Sequence, residues 1–286
     1  MLRAALSERF ELSFHYPRSL QELDDAVGTA LDGGLTRIAV GGGDGTINRV
    51  VNRLGDASVV LAPLPMGSGN DFCRGIGLGP SLAESLCALL GGATQQVDLI
   101  EINGVRVCTV AGLGVVAAAG LQVCRLARPG SLLRPAVRAL GSSAYLAAGG
   151  ARILLHPDIT SSAHVQWRNG TGDWQSRSHR LHGVFLAVRR ALGAGLRLPL
   201  AADENDGRFE LVLVHESRRA RLGWHLPRLR NGRAIPDNIL SVEHATDVLV
   251  DWPGGSALMI DGEDFGRADR VAARILPRAL TVTRAV

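Results

Sequence analysis

The sequence predicts an α/β plus β protein: a doubly wound parallel-sheet domain is followed by an antiparallel, β-rich and sandwich-like domain. Its 286 residues exceed the length of one average domain. Helix and strand patterns alternate over residues 1–102, as they do in a parallel sheet. From residue 103 to residue 286 most segments are short and extended, and several alternate apolar with polar residues, which favours antiparallel strands.

Apolar spacing and glycine positions locate the elements of the first domain. Residues 20–31 carry apolar side chains at helical spacing, and Gly33-Gly34 ends that helix. Ser81, with Glu84 three residues later, has the pattern of a capping box at the start of another helix. The predicted order is helix 20–31, strand 36–40, helix 47–54, strand 58–63, helix 81–90 and strand 97–102.

The second domain is predicted to be mostly extended, with a helical exception at 120–150. The uncharged run 107–124 contains glycines and falls short of the ~20 residues of a membrane span, so we interpret it as a buried strand, a turn and a helix start. The last strand is expected to pack back on the first domain. Predicted strands lie at 105–110, 152–155, 163–167, 182–188, 208–214, 248–251, 257–260, 270–275 and 280–283.

Composition restricts the chemistry that this chain can perform. All 31 basic residues are arginine, and the formal net charge is +4. Without lysine, a phosphate must be bound by backbone N–H groups, arginine or a metal ion. The small net charge gives no argument for nucleic acid as a partner. The four cysteines form no CxxC pair and the N-terminus lacks a signal-peptide pattern, so a cytoplasmic protein is expected.

The strongest motif is the glycine loop that follows the strand predicted at 36–40. Three glycines, Asp44, a further glycine and Thr46 lead directly into a helix. Glycines let the backbone approach a ligand closely, and a helix N-terminus attracts anions. Asp44 suits such a loop if a divalent cation bridges its carboxylate to a phosphate. The alternative is a tight turn in which Asp44 or Thr46 caps the helix.

Two further motifs carry polar groups at strand ends. The loop 63–74 follows a strand and contains Ser68, Asn70 and Asp71, so in a parallel sheet it would lie beside the first loop. Asp261-Gly-Glu263 ends a late apolar strand. Each motif is also typical of a plain turn, and the two carboxylates of the last one can equally present a general base.

Together the motifs resemble the diacylglycerol kinase catalytic family, which includes bacterial lipid kinases and sphingosine kinases. GGDGT at 42–46, GSGNDFCR at 67–74 and IDGE at 260–263 carry the resemblance, which covers nearly the whole chain. It implies a nucleotide-binding domain at 1–102 and a lipid-binding domain at 103–286, with ATP and Mg²⁺ as cofactors. The implied reaction transfers the γ-phosphate of ATP to a lipid hydroxyl.

The resemblance also implies individual roles. Glu263 would be the general base, and Asp44 and Asp71, with Asp98, would organise the catalytic magnesium. A structural metal would be held by the Asp206 carboxylate and by main-chain oxygens near Asp203 and Arg208; a hairpin turn is the alternative there. Residues implied to bind the nucleotide are Gly42, Gly43, Asp44, Gly45, Thr46, Ile47, Asn48, Gly67, Ser68 and Asn70.

Four departures from the family pattern stand out. The resemblance implies that Met1 falls inside the helix after the family's first strand, so we expect that strand and its glycine loop to be missing through a misplaced start codon or a truncation. Arg49 replaces a glutamate and reverses a charge beside the first loop. Ser68 replaces a threonine, and Arg189-Arg190 open a stretch where the family has asparagine and glycine.

A lipid kinase must reach its substrate at a membrane surface, so a peripheral location at the inner face is expected. Residues 121–140 combine leucines with arginines and no acidic residue, which suits an interfacial helix or an ordinary packing helix. The basic residues 218–221 are interpreted as a solvated turn. The sequence does not decide whether the protein forms a homodimer. The alternatives in function are a catalytically impaired relative that binds lipid or nucleotide, and an NAD kinase-like enzyme, whose family shares GGDGT.

Overall fold

The chain folds into two compact units. The computed structural model describes residues 11–67, 69–79, 81–127, 130–140, 143–144, 147, 151, 160–189, 191–193, 196–197 and 205–285. One unit comprises Met1–Val97 and Ala279–Val286, and the other comprises Asp98–Arg278. The division therefore falls five residues before the predicted boundary, and the end of the chain belongs to the first unit.

The first unit is a parallel sheet with helices. Strands β1 and β2 pair in parallel with Arg37 opposite Val60, and the last strand adds Thr281 beside Val60, also in parallel. This confirms the predicted fold class of the first domain. The elements here are α1 (Leu20–Asp32), β1 (Arg37–Gly42), α2 (Asp44–Leu54), β2 (Val60–Pro65), α3 (Asp71–Gly75), α4 (Leu82–Gly91) and the start of β3 (Thr94–Ile102).

Helix starts and buried faces explain this local structure. Ser19 caps α1 by accepting a hydrogen bond from the Glu22 amide at 3.1 Å. Ser81 is the N-cap of α4, but its side chain makes no capping hydrogen bond, so the predicted capping box is not formed. Helix α2 fully buries Ile47, Val50 and Val51, and this packing fixes the direction in which its first turn points.

The second unit consists mainly of antiparallel strands. Strands β5, β7, β10 and β11 pair in that order, β6 joins β7 to β12, and β12 forms a hairpin with β13. The elements are β4 (Val105–Val107), β5 (Val110–Gly114), α5 (Val115–Ala127), α6 (Arg134–Leu140), β6 (Ser161–Arg168), β7 (Gln175–Ala187), β8 (Ala191–Gly193), β9 (Leu196–Arg197), β10 (Phe209–His215), α7 (Arg219–His225), a 3₁₀ helix (Leu226–Asn231), β11 (Leu240–Ala245), β12 (Asp247–Ile260) and β13 (Glu263–Thr283).

Several predicted strands differ in extent from the observed ones. The segments predicted at 248–251 and 257–260 form one strand, β12, because a register shift between Asp251 and Ser256 accommodates the intervening residues without ending the strand. The strand predicted at 152–155 lies outside the described residues. The uncharged run at 107–124 contains a strand and a helix start, as predicted, but the strand predicted at 105–110 is divided into β4 and β5, and α5 follows β5 without the predicted turn. Among the described residues, no helix is long and apolar enough to cross a membrane.

Two histidines on neighbouring strands predict a pH-dependent stability. The rings of His179 and His215 lie 5.4 Å apart. Burial, together with the charge of Arg177, lowers the pKa of His179, and burial together with His179 lowers the pKa of His215. Below pH 6.5 the unfolded chain therefore binds more protons than the folded chain. The stability that these two histidines contribute is fully present above pH 6.5 and declines as the pH falls below it.

We expect the melting temperature to drop between pH 7 and pH 5, and His215→Gln to reduce that drop. The exposed His244→Gln is the matched control. Equal drops in wild type and His215→Gln, measured by circular dichroism, would contradict the predicted contribution of His215 to the pH dependence.

Candidate active site

The first glycine loop presents an uncapped helix start. Strand β1 ends at Gly42, and Gly43 is the N-cap of α2 in an extended conformation, so neither Asp44 nor Thr46 caps the helix. Gly43 has no side chain to accept the N–H groups of the first turn, which also lack intrahelical acceptors. These amides and the positive end of the eleven-residue helix favour an anion.

The second loop packs backbone against backbone on the first. The Met66 amide donates to the Gly42 carbonyl at 3.0 Å. Asn70, in the left-handed conformation at φ 53°, closes its own loop: its Oδ1 accepts from the Gly67 amide at 2.9 Å, and its Nδ2 donates to the Gly67 carbonyl at 3.0 Å. A methyl group on Gly67 would lie 2.5 Å from the Gly43 Cα atom. Glycine is therefore required for this close approach.

Two carboxylates converge on Gly69 in the first unit. A methyl group there would lie 2.8 Å from Asp44 Oδ2 and 3.1 Å from Asp71 Oδ2. Asp44 Oδ1 accepts from the Phe72 amide at 3.0 Å, which fixes its orientation, and Asp71 is only 6% exposed. Burial, and then the charge of Asp44, raise the pKa of Cys73 to about 12, so this thiol stays protonated.

The carboxylate pair fits a magnesium ion that also binds phosphate. Mg²⁺ prefers hard oxygen ligands and is usually held by one or two carboxylates, with water and substrate phosphates completing the shell. Within the described part of the chain, no group of three or more His, Cys, Asp or Glu side chains could bind a metal by itself. Asp44 and Asp71 thus supply the number and type of ligand that Mg²⁺ takes beside a nucleotide.

Two further polar side chains of α2 have partners within the first unit. Asn48 is 8% exposed, and its Oδ1 accepts from Asn52 Nδ2 at 3.2 Å. Arg49 forms a two-pronged ion pair with Asp24 of α1, with Nε donating at 2.8 Å. The charge that departs from the family pattern is therefore paired with a carboxylate on α1. Ser68 lies outside the described residues.

The Asp261-Gly262 motif of the second unit is a two-residue hairpin turn, with both residues at positive φ (45° and 86°). The Asp261 carboxylate is buried and accepts from the backbone amides of Cys108 at 2.7 Å, Thr109 at 2.8 Å and Val110 at 3.0 Å, and from the Thr109 hydroxyl. Burial raises the pKa of Asp261, and these four hydrogen bonds oppose the rise. Asp261 thus anchors the β12–β13 turn to the chain between β4 and β5.

Glu263 follows this anchored turn as the first residue of β13. It pairs with Ile260 across the hairpin and is exposed. The position of its backbone is therefore fixed by Asp261, while its carboxylate stays accessible. Sequence reasoning treated Asp261 as a turn residue and missed its anchor at Thr109, because only the fold brings residues 108–110 to the turn.

Asp98 of the second unit contacts the residues on either side of Asp206, namely Asn205 and Gly207. Asp98 is 1% exposed, and its carboxylate accepts from the Gly207 amide at 2.8 Å and from the Arg278 amide at 2.8 Å. Asp206 Oδ1 accepts from the Arg208 amide at 3.0 Å, which is a turn geometry. Asp203 lies outside the described residues. A metal at Asp206, Asp203 and Arg208 therefore stays a prediction, and Asp98 belongs to a different unit from Asp44 and Asp71.

Comparisons with known proteins identify both units. The family "Diacylglycerol kinase catalytic domain" matches residues 2–102, and the "YegS C-terminal NAD kinase beta sandwich-like domain" matches residues 164–284. A Pseudomonas fluorescens protein named "Probable lipid kinase YegS-like" is 30% identical over 260 residues, covering 88% of this chain and 79% of the relative. The diacylglycerol kinase of Bacillus subtilis is 25% identical over 233 residues, covering 80% of this chain and 71% of the relative.

The fold has a solved counterpart in the crystal structure of a diacylglycerol kinase from Bacillus anthracis. Its TM-score is 0.71 at 16% identity, with 99% of this chain and 89% of that chain covered. The two family matches and the named relatives indicate that the chain is of the two-domain lipid kinase class. The chain belongs to the diacylglycerol kinase catalytic-domain family, among its YegS-like members.

Proposed function

We propose that this chain is an ATP- and Mg²⁺-dependent lipid kinase that phosphorylates a hydroxyl of a diacylglycerol-like membrane lipid. The observation that carries the proposal is the pair of glycine loops in backbone contact, with the Asp44 and Asp71 carboxylates converging on Gly69. Uncapped helix amides beside two carboxylates suit a triphosphate with its cation. The names of the relatives support a lipid as the acceptor.

In this proposal the first unit binds and orients the nucleotide. The amides at the start of α2 and the glycines of both loops bind phosphate oxygens, with no lysine required. Asp44 and Asp71 hold Mg²⁺, which when bound neutralises charge on the phosphates. Catalysis of this kind depends mainly on positioning and electrostatic stabilisation.

Glu263 is proposed to accept the proton of the lipid hydroxyl. The lipid oxygen then forms a bond to the γ-phosphorus, the bond from that phosphorus to the bridging oxygen breaks, and ADP leaves with the electron pair. General-base catalysis requires a positioned carboxylate within hydrogen-bond reach of the hydroxyl. Glu263 is exposed, so its carboxylate is accessible to a lipid hydroxyl, and the anchored turn fixes its backbone. The ion pair of Arg49 with Asp24 removes one argument for the catalytically impaired alternative, because that charge is already neutralised.

The test is transfer of labelled phosphate from ATP and Mg²⁺ to a bacterial lipid extract, with NAD as a competing acceptor. We expect a labelled lipid from wild type and at least ~100-fold less from Glu263→Gln, since general-base catalysis contributes about 10²–10⁴-fold. The exposed Asp269→Asn on the same strand is the matched control and should retain activity.

Three results would count against the proposal. Absence of labelled lipid from folded wild type would favour the binding relative. Labelled NAD in place of lipid would favour the NAD kinase-like enzyme. Equal transfer by wild type and Glu263→Gln would exclude Glu263 as the base.

A further inference from the structure

Residues 218–233 form a surface segment with an apolar inner side, here called the arginine–tryptophan segment. It comprises α7 and the 3₁₀ helix after it. Leu222 and Leu229 of the segment, and Ile235 just after it, are at most 8% exposed and pack in an apolar cluster with residues of β7 and β10. This inner side attaches the segment firmly to the second unit, so its outer side has a defined orientation.

The outer side exposes an aromatic ring among cations. Trp224 is 76% exposed, whereas Trp167 and Trp252 are almost fully buried. Arg221 precedes Trp224 by three residues on α7, and Arg228 follows it by four residues in the 3₁₀ helix. Between residues 217 and 236 the chain has no acidic residue, and its arginines are Arg218, Arg219, Arg221, Arg228, Arg230 and Arg233.

The described arginines of this segment are not neutralised. Arg221 donates to Asn238 Oδ1 at 3.3 Å and Arg228 to the Ala234 carbonyl at 3.3 Å, and both acceptors are uncharged. Within the described part of the chain, no ion pair is formed by Arg218, Arg221, Arg228 or Arg233. By contrast, Arg125 is paired with Asp264, and so the segment 121–140 carries less free charge than its sequence suggested.

Arg228 and Arg221 also act on a histidine of the same segment. Burial, and then the charges of Arg228 and Arg221, lower the pKa of His225, which is therefore neutral at pH 7. The charge of the segment at that pH comes from its arginines alone. It does not depend on the protonation of this histidine.

We propose that the arginine–tryptophan segment docks the second unit on an anionic phospholipid bilayer. Arginines attract the anionic headgroups, and an exposed tryptophan inserts its ring at the headgroup level. The overall net charge of only +4 and the single exposed ring of the segment favour a membrane over nucleic acid. This inference rests on the proposed function in one respect: a kinase of membrane lipids must reach a bilayer.

The test is flotation of the full chain with vesicles of phosphatidylcholine alone or of phosphatidylcholine and phosphatidylglycerol at 3:1, without ATP. We expect binding to the anionic vesicles only, weakening as salt is raised. Each arginine near such a surface contributes about fivefold, so Arg218→Gln with Arg221→Gln should lower binding about 25-fold. The exposed pair Arg18→Gln with Arg53→Gln removes the same charge from the first unit and is the control.

Tryptophan fluorescence gives a second readout. We expect a blue shift on adding anionic vesicles, abolished in Trp224→Phe although this variant still binds. Trp224→Ala should lower binding about tenfold, given the free energy of burying a large apolar side chain. Trp174→Ala, at another exposed tryptophan, should have no effect on binding.

The inference is overturned if wild type binds neutral and anionic vesicles equally, or if both arginine pairs have the same effect. It is also overturned if the 218/221 variant loses RNA binding or self-association while vesicle binding is unchanged. Phosphate transfer to a detergent-dispersed lipid is measured separately. Loss of flotation with normal transfer in detergent supports the docking surface, and flotation without any transfer contradicts only the proposed kinase activity.

Discussion

Asp261→Ala is expected to lower the free energy of unfolding of the second unit by at least about 4 kcal/mol. The substitution leaves the buried amides of Cys108, Thr109 and Val110 without their acceptor, and each unsatisfied buried group costs about 1–3 kcal/mol. Alanine at the positive φ of this position adds about 1 kcal/mol of strain. A loss of this size is a large part of the 5–15 kcal/mol that stabilises a typical domain.

Melting temperature and urea unfolding measure this effect. Asp261→Asn should be intermediate, because asparagine tolerates positive φ and keeps one acceptor oxygen, but its amide hydrogens face the backbone donors. Asp251→Ala is the matched control on β12. That carboxylate is 41% exposed, and its ion pair with Arg270 is long, at 3.6 Å, so its loss should cost under ~1 kcal/mol. Near-equal melting temperatures of Asp261→Ala and Asp251→Ala would contradict the anchoring role.

The contrast between the two units shows what local sequence can predict. Both glycine loops were predictable because a strand, a turn and a helix start are encoded within a few consecutive residues, as at Gly43 and Asp44. Asp261 has partners more than 150 residues earlier in the chain, and no local pattern connects Thr109 with it. The turn itself was predictable, but the buried hydrogen-bonding role of its first residue required the tertiary structure.

Surface charges were the least predictable part. Arg49 was expected to bring a reversed charge to the nucleotide loop, but Asp24, on a different helix, pairs with it. The basic residues near Arg218 were interpreted as a solvated turn, although the segment packs by Leu222 and exposes Trp224. An arginine side chain is long enough to reach several partners, so its neighbours depend on how the helices pack.

Asp44→Asn is expected to reduce phosphate transfer by about 10³-fold or more in the proposed kinase. Metal-ion stabilisation of transition-state charge is worth several kcal/mol, and each 1.36 kcal/mol is a factor of ten in rate. Asparagine keeps an oxygen that can accept from the Phe72 amide, so the loop geometry should survive. The loss would then come from the missing charge beside Asp71.

Nucleotide binding by calorimetry separates this effect from misfolding. In wild type, Mg²⁺ should strengthen ATP binding; in Asp44→Asn that gain should vanish, whereas metal-free ATP should bind at least as well because a negative charge is gone. Asp32→Asn, exposed at the end of α1, is the control. Activity within tenfold of wild type, with the Mg²⁺ effect intact, would remove Asp44 from the proposed metal site.

The double variant Asp44→Asn with Asp71→Asn tests whether the two carboxylates act together. Their Oδ2 atoms converge on one point above Gly69, so both should hold the same ion. Residues that act as a unit lose function non-additively. The double variant should therefore be about as inactive as either single one, whereas multiplied losses would indicate that the two carboxylates serve separate steps.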